Sequence, residues 1–297
     1  MGMFDTNLPK CIDALAISDK IISSQMIRSG RSLLVFALIL LASSVYATSV
    51  VDVTVGDKEV NATISVDNVY AASLHISFEN VIGLTQDSIA ITAVPVDPKS
   101  LALIQRIGNP KLFSIPALFP VMINVSPTPS STLSFTGVVE IELSTSNLAF
   151  DTKFRLMKSP NGGNFDDITN FAGIGSYRVR GTSGDFSDFL IVLDLRPNSQ
   201  AIDSKFTKLQ YALSTHASKI EASMAQNLQT KLDAAVASYQ SGSKQQAIDH
   251  LQSFIDDITA DGGQKVPNIY RANDLNTVNV AGDLRRHAAT LIFSLRL

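Results

Sequence analysis

The sequence contains no tryptophan and one cysteine, Cys11. A lone thiol makes no disulfide within the chain, and once it leaves with a leader no cysteine metal site or cysteine nucleophile remains. Without indole rings, a carbohydrate site built on tryptophan stacking is disfavoured. No run of lysine or arginine occurs, which argues against a surface that tracks the phosphates of a nucleic acid. No apolar run approaches the roughly 20 residues that a spanning helix requires; residues 33–42 come nearest, with ten. A G-x-S-x-G elbow of the hydrolase type is also missing.

What is present begins with residues 33–47, LLVFALILLASSVYA. This apolar core, the preceding Arg28 and Arg31, and the modest residues of Val45-Tyr46-Ala47 have the layout of a signal peptide cut after Ala47. The alternative is an uncleaved anchor, in which case the chain meets a membrane through this leader only. Leu41-Ala42-Ser43-Ser44 has the form of a lipoprotein box, but Ser44 stands where the acylated cysteine belongs, so no lipid anchor is expected. Residues 1–25 have no clear pattern, whereas Met26-Ile27-Arg28-Ser29-Gly30-Arg31 is an ordinary signal-peptide start. The reading is therefore a leader over 1–47 whose working part is 26–47, with translation beginning at Met26. It places the protein outside the cytoplasm: in the periplasm, on the cell surface or secreted. Of the 24 bases and 27 acids, four and three respectively precede residue 48, so the following 250 residues carry a formal charge of −4. That length suffices for two modest domains.

Residues 48–198 alternate with period two. Val51/Val53/Val55, Ala62/Ile64/Val66, Leu74/Ile76/Phe78, Ile89/Ile91/Ala93, Val121/Ile123/Val125 and Val139/Ile141/Leu143 each mark one face of a strand. Phe154/Leu156, Tyr177/Val179 and the run 189–193 continue the series. About nine short strands separated by turn residues predict an antiparallel β-sandwich, and nine of the eleven prolines fall in this half, as loop and edge residues do. Residues 181–184, Gly-Thr-Ser-Gly, read as a hairpin turn joining 177–180 to 186–193. Asp166, Asp167, Asp185, Asp188 and Asp194 collect near the end of this half. Carboxylates of that kind serve hard cations, but no spacing matches a calcium loop, and solvated caps and Asx-turns are the expected role.

The order of LSFTGVVEIELST (133–145), FRLMKSPNGGNFDDIT (154–169), YRVRG (177–181) and GDFSDFLIV (184–192) resembles the end of the β-sandwich module of ankyrin-type and netrin-receptor proteins. Some members of that family cut themselves within His-Phe-Ser, the serine attacking the preceding carbonyl with the histidine as base. The corresponding tripeptide here is Asp185-Phe186-Ser187, without the histidine. The expectation is that Phe186 and Phe189 are core residues and that Ser187 faces solvent.

After Arg196-Pro197-Asn198-Ser199 the period turns helical. Ile202, Phe206, Leu209 and Leu213 form one stripe; Leu228, Leu232, Ala235, Val236 and Tyr239 a second; Ala247, Leu251, Phe254, Ile255 and Ile258 repeat the second position for position. Gly242 is placed to end a helix in the left-handed region, and Ser243 with Gln246 to open the next through a capping box. Asp261-Gly262-Gly263 closes that helix, and 281–294 forms a last one with Leu284, Ala288, Leu291, Ile292 and Leu295 inside. Residues 199–297 thus predict a small four-helix bundle domain, giving an α+β chain: a leader over 1–47, an antiparallel β-sandwich over 48–198, and helices over 199–297. The stretch NLQTKLDAAVASYQSGSKQQAIDHLQSFIDDI (227–258) is similar to the FIMAH-type helical module of bacterial cell-surface proteins. That resemblance implies an accessory module on an exported protein, with no catalytic residue to carry over.

The four histidines, His75, His216, His250 and His287, include no pair at ligand spacing on one helix. His216 lies on an apolar stripe and reads as a packed, hydrogen-bonded residue. Arg178 and Arg180 read as a solvated strand face, and Asn61-Ala62-Thr63 and Asn124-Val125-Ser126 as glycosylation patterns without weight in a bacterial host. No catalytic, cofactor or metal residue is singled out. The functional expectation is an exported non-enzymatic protein of structural, adhesive or scaffold type, partnered by a cell-surface protein or glycan and not by nucleic acid. Its alternatives are a glycan or small-ligand binder and, behind that, a hydrolase or self-cleaving protein.

Overall fold

Eight of the nine alternating segments fall on β-strands in the computed structural model of the chain, which describes residues 49–274 and 276–297, and the ninth, Tyr177/Val179, starts one residue ahead of its strand. The leader readings, from Cys11 and Met26 to the apolar core, Ser44 and the cut after Ala47, lie outside the described residues. In chain order come β1 (Ser49–Val55), β2 (Glu59–Val66), β3 (Tyr70–Ile82), β4 (Ile89–Pro95), the short helix α1 (Leu101–Ile107) and β5 (Phe113–Ser114). There follow β6 (Val121–Pro127), β7 (Ser134–Thr145), β8 (Phe154–Ser159), β9 (Asp166–Asp167), β10 (Thr169–Ala172), β11 (Arg178–Ser183) and β12 (Asp188–Asp194). The C-terminal part holds α2 (Asn198–His216), α3 (Ala222–Gln240), α4 (Lys244–Asp261), β13 (Ile269–Arg271) and α5 (Val280–Arg296).

The strands form two antiparallel sheets. One runs β1-β2-β3-β7-β11-β10, and the other β4-β6-β12-β8-β9 with β5 on the end of β12. Period-two burial is cleanest in β2, where Val60, Ala62, Ile64 and Val66 are buried and their neighbours face water. Such residues from both sheets make one core, with Phe119, Phe135, Phe150 and Phe189 fully enclosed. Each side chain of this size stabilises the fold by roughly 1.5–3 kcal/mol relative to exposure. In β8 the alternation fails, since Arg155 through Ser159 are all buried.

A third strand partner sets the topology apart from a plain sandwich followed by helices. β13, from the helical half, pairs with residues 134–136 of β7, on the flank where β11 covers only 139–144. Tyr270 of β13 stacks on Phe135 at 4.8 Å, and both rings meet Phe186 edge-on. The described residues accordingly form one compact unit, although the Arg196-Pro197 breaker does separate β12 from α2.

The helices follow their stripes. All the fully apolar stripe positions of α2, α4 and α5 named above are buried or half-buried in a second core, with Leu228, Leu232 and Ala235 of α3. Gly242 takes φ +84° and Gly262 φ +62°, the left-handed conformations that end α3 and α4. Ser243 opens α4, but its side chain makes no capping bond, so the expected capping box is not formed. The Ser243 N–H instead donates to the Ser238 carbonyl at 2.8 Å, which takes the donor that Gln246 would have served.

The expected 181–184 hairpin is also absent. β11 and β12 belong to different sheets, and residues 181–183 are strand. The glycines answer to close approach instead of to a turn: a Cβ on Gly181 would lie 2.6 Å from the Ile168 carbonyl oxygen, and one on Gly184 3.0 Å from the Asp283 backbone nitrogen. Among the described residues no helix is long and apolar enough to cross a membrane.

Candidate functional site

Helix α5 is buried nearly all round, with thirteen of its residues enclosed. Its apolar stripe faces α2 and α4, while Asp283, Arg286, His287, Thr290 and Ser294 recur at three- and four-residue intervals on another face. A polar stripe in that position needs partners, because an unpaired buried polar group costs about 1–3 kcal/mol. They come from α2 and from the sheet ends. Asn279 starts the arrangement: its Oδ1 accepts from the Gly282 N–H at 2.8 Å as the N-cap, and its Nδ2 donates to the carbonyls of Gly137 (2.7 Å) and Gly184 (3.2 Å).

Deepest lies Lys205 of α2. Its Nζ donates to Thr290 Oγ1 and Ser294 Oγ, each at 2.8 Å, and sits 2.6 Å from the Asp167 carboxylate, which Arg155 approaches at 3.4 Å. Burial pushes Lys205 down to about 8 in spite of Asp167. For Asp167 burial works toward the neutral form, but Lys205 and Arg155 prevail and hold it below the usual carboxylate range.

Nearer the surface, Asp283 gathers two histidines from distant parts of the chain. His216 Nε2 is 3.0 Å from Oδ2 and His287 Nε2 3.9 Å from Oδ1. Arg286 Nε donates to Asp283 Oδ1 at 2.8 Å, Nη2 lies 2.7 Å from the same oxygen, and Nη2 lies 3.7 Å from Asp166, which also pairs with Lys208. Burial opposes the charge on Asp283, yet Arg286, the His216 hydrogen bond, His287 and Lys158 hold its carboxyl far below the ordinary range. His287 is pushed down to about 3 by burial and then by Arg286, so it is neutral at neutral pH. Arg286 keeps a further nitrogen, Nη1, without a hydrogen-bond partner, although its side chain is 9 % exposed.

Two adjoining clefts open on this cluster and share His216, Asp283 and Arg286. The larger, of about 500 Å³, is completed by Arg106, Phe165, Asp166, Lys208, Tyr211 and His287. The smaller, of about 420 Å³, has Lys158, Asp185, Arg271 and Asp274 on its walls. Lys158 reaches it from β8: it is buried, donates to Ser183 Oγ at 2.8 Å and pairs with Asp185. Burial first, and Arg286 second, lower its pKa well below the usual lysine value.

Of the acidic residues expected as solvated caps and Asx-turns, Asp167 and Asp194 do accept from the N–H two residues on, Thr169 at 2.8 Å and Arg196 at 3.1 Å, but none is merely solvated. Asp166, Asp167, Asp185, Asp188 and Asp194 each face a cation: Lys208, Lys205, Lys158, Arg106 and Arg196 respectively. Among the described residues no group of three or more histidines, cysteines and carboxylates is arranged to hold a metal ion. His216 is hydrogen-bonded as read from its stripe. Ser187 departs from expectation: it is buried, and its Oγ donates to the Phe186 carbonyl oxygen at 2.6 Å. Phe186 and Phe189 are core residues, and the Asp185 carboxylate is occupied by Lys158 and Ser183. Arg180 pairs with Glu140 and Glu142 on the outer strand face, and His75 with Asn61. The polar face of α5 was not singled out from sequence. Its signal was there as a second helical stripe, Asp283-Arg286-His287-Thr290-Ser294, alongside the apolar one.

The fold and cluster define an α+β protein in which an antiparallel sandwich and a helical layer enclose a charged cleft. The chain belongs to a family of unknown function, DUF6689, whose model matches residues 35–297. No curated protein matches it.

Proposed function

We propose that this is a non-enzymatic binding protein that works outside the cytoplasm and holds a small polar ligand between its sheets and helices. One observation carries the reading: buried Arg286 lines both clefts and keeps Nη1 unpartnered. A ligand that drew this enclosed nitrogen toward the cleft and supplied an acceptor would recover the roughly 1–3 kcal/mol that such a donor costs. The cleft volume lies within the range of small-molecule sites, roughly 300–1,000 Å³. The non-catalytic part rests on occupancy: Ser183 is fully buried, and Lys158, Asp185, Asp283 and Asp166 already face partners. The signal-peptide layout of residues 33–47 and the accessory-module resemblance of 227–258 support the location.

The test is thermal unfolding of the full chain against a panel of sugars, amino acids, nucleotides and organic acids. A ligand at a hundred times its Kd adds about 2.7 kcal/mol, a rise of about 5–10 °C for a chain of this size. A panel in which nothing raises Tm removes the reading. Fractionation tests the location, and a purely cytoplasmic product would contradict it. The adhesive or scaffold reading keeps one observation in its favour, the β10–β11 hairpin, where Phe171, Ile174 and Tyr177 are exposed. Sedimentation of the native chain and of Phe171→Ser/Ile174→Ser tests that reading, and two identical monomers count against it.

A further inference from the structure

The two clefts differ in charge. The smaller sets Lys158, Arg271 and Arg286 against Asp185, Asp274 and Asp283, an even balance. The larger has three cations on its walls, Arg106, Lys208 and Arg286, against the two carboxylates Asp166 and Asp283, with Asp188 3.8 Å from Arg106 behind the lining. Within it Asp283 takes two of the Arg286 nitrogens on a single oxygen, and Asp166 stands at 3.7 Å, beyond hydrogen-bond reach. The guanidinium carries five N–H donors in a fixed fork suited to carboxylate or phosphate, and Nη1, which has no partner, is itself enclosed, so an outside acceptor has to draw it toward the cleft. Lys208, nearly half exposed, stands at the mouth. The same cleft has an apolar side: Phe165 is buried with Arg106 over its ring at 4.9 Å, and Tyr211 is 72 % exposed.

We infer that the larger cleft binds a small organic anion, its carboxylate or phosphate meeting Arg286 and Lys208 and its apolar body lying along Phe165 and Tyr211. This rests on the binding reading above and names the ligand class for that site. The apolar wall distinguishes it from a site for a bare inorganic ion, and the three cations that line it from a site for a neutral sugar.

Calorimetric titration of the full chain with benzoate, phenyl phosphate, inorganic phosphate and neutral benzamide tests it. At least one aromatic anion is expected to bind at least tenfold more tightly than benzamide and than inorganic phosphate, and the stronger of benzoate and phenyl phosphate identifies the acid group. Arg286 is packed too deeply to be a safe variant, so Lys208→Met and Tyr211→Ala, both at exposed positions, are used. Each should weaken that anion at least fivefold. Benzamide binding as tightly as benzoate, an anion affinity unchanged in both variants, or binding of a panel sugar with no anion overturns the anion inference and leaves the binding reading standing. No binding by any probe or panel member overturns both.

Discussion

A methyl group placed on Gly282 would lie 2.7 Å from the Cα of Gly184 and 2.6 Å from the Asn279 side-chain nitrogen. Helix α5 therefore meets the end of β11 backbone to backbone, and the charged cluster is aligned by that contact. Gly282→Ala should destabilise the chain by about 1–3 kcal/mol through overpacking. Alanine's better helix propensity returns only about 1 kcal/mol. Urea unfolding with an unchanged slope measures it, and an equally stable variant would show that the contact yields at no cost.

Asn279 ties the same corner with three hydrogen bonds. Asn279→Ala is expected to cost about 2–4 kcal/mol, combining a lost N-cap with two unsatisfied carbonyls. Asn279→Asp keeps the cap acceptor but turns an oxygen toward Gly137 and Gly184, so it should not restore stability. Wild-type stability in the aspartate variant would reduce Asn279 to a simple cap.

Lys205→Met removes the cation beside buried Asp167 and leaves Thr290 and Ser294 without their donor. A loss of about 3–5 kcal/mol follows for one half of a buried pair. The titration of Lys205 adds a second readout. Its folded pKa, about 8, lies below its unfolded value, so the unfolded chain holds more protons between those two values and stability rises with pH across that window. Lys158, lowered as well, contributes in the same direction. The methionine variant should show a shallower rise, and one as steep as wild type would remove Lys205 from that role.

On the acid side two windows separate. His287, at about 3 when folded and faced by Asp283, Arg286, Asp166 and Lys208, takes up a proton more readily unfolded, so stability falls as pH drops from about 6.5 toward 3. Asp166, Asp167 and Asp283, all lowered, lose their contribution only as pH falls below about 4. His287→Asn should flatten the loss between pH 6.5 and 4 and leave the steeper decline below. Denaturation midpoints across pH check this, and an unchanged upper window would point to another group.

The strands and helices were legible where a period had room to show itself. Eight alternating segments and four apolar stripes appear where the sequence puts them. β5, β9 and β13 span two or three residues each, too short for alternation to be seen. In β8 both faces are covered, so Arg155 and Lys158 are buried in a segment whose sequence reads as half polar. The cluster was illegible for a different reason. Its pairs join residues far apart, such as His216 with Asp283 and Lys205 with Asp167, and spacing along one element cannot reveal them. Gly181 and Gly184 misled because glycine serves a close contact as readily as a turn.

The pairing of β13 with β7 also fixes when the molecule is finished. Residues 134–136 emerge from the ribosome long before residue 269 exists to cover them, so their hydrogen-bonding edge waits for nearly the whole chain. Contacts of such sequence separation form slowly, and an open edge invites pairing with other chains. Closure by β13 and α5 is thus a test of completeness: a chain cut short before residue 269 keeps a sticky edge and an empty corner, and is marked for aggregation or proteolysis.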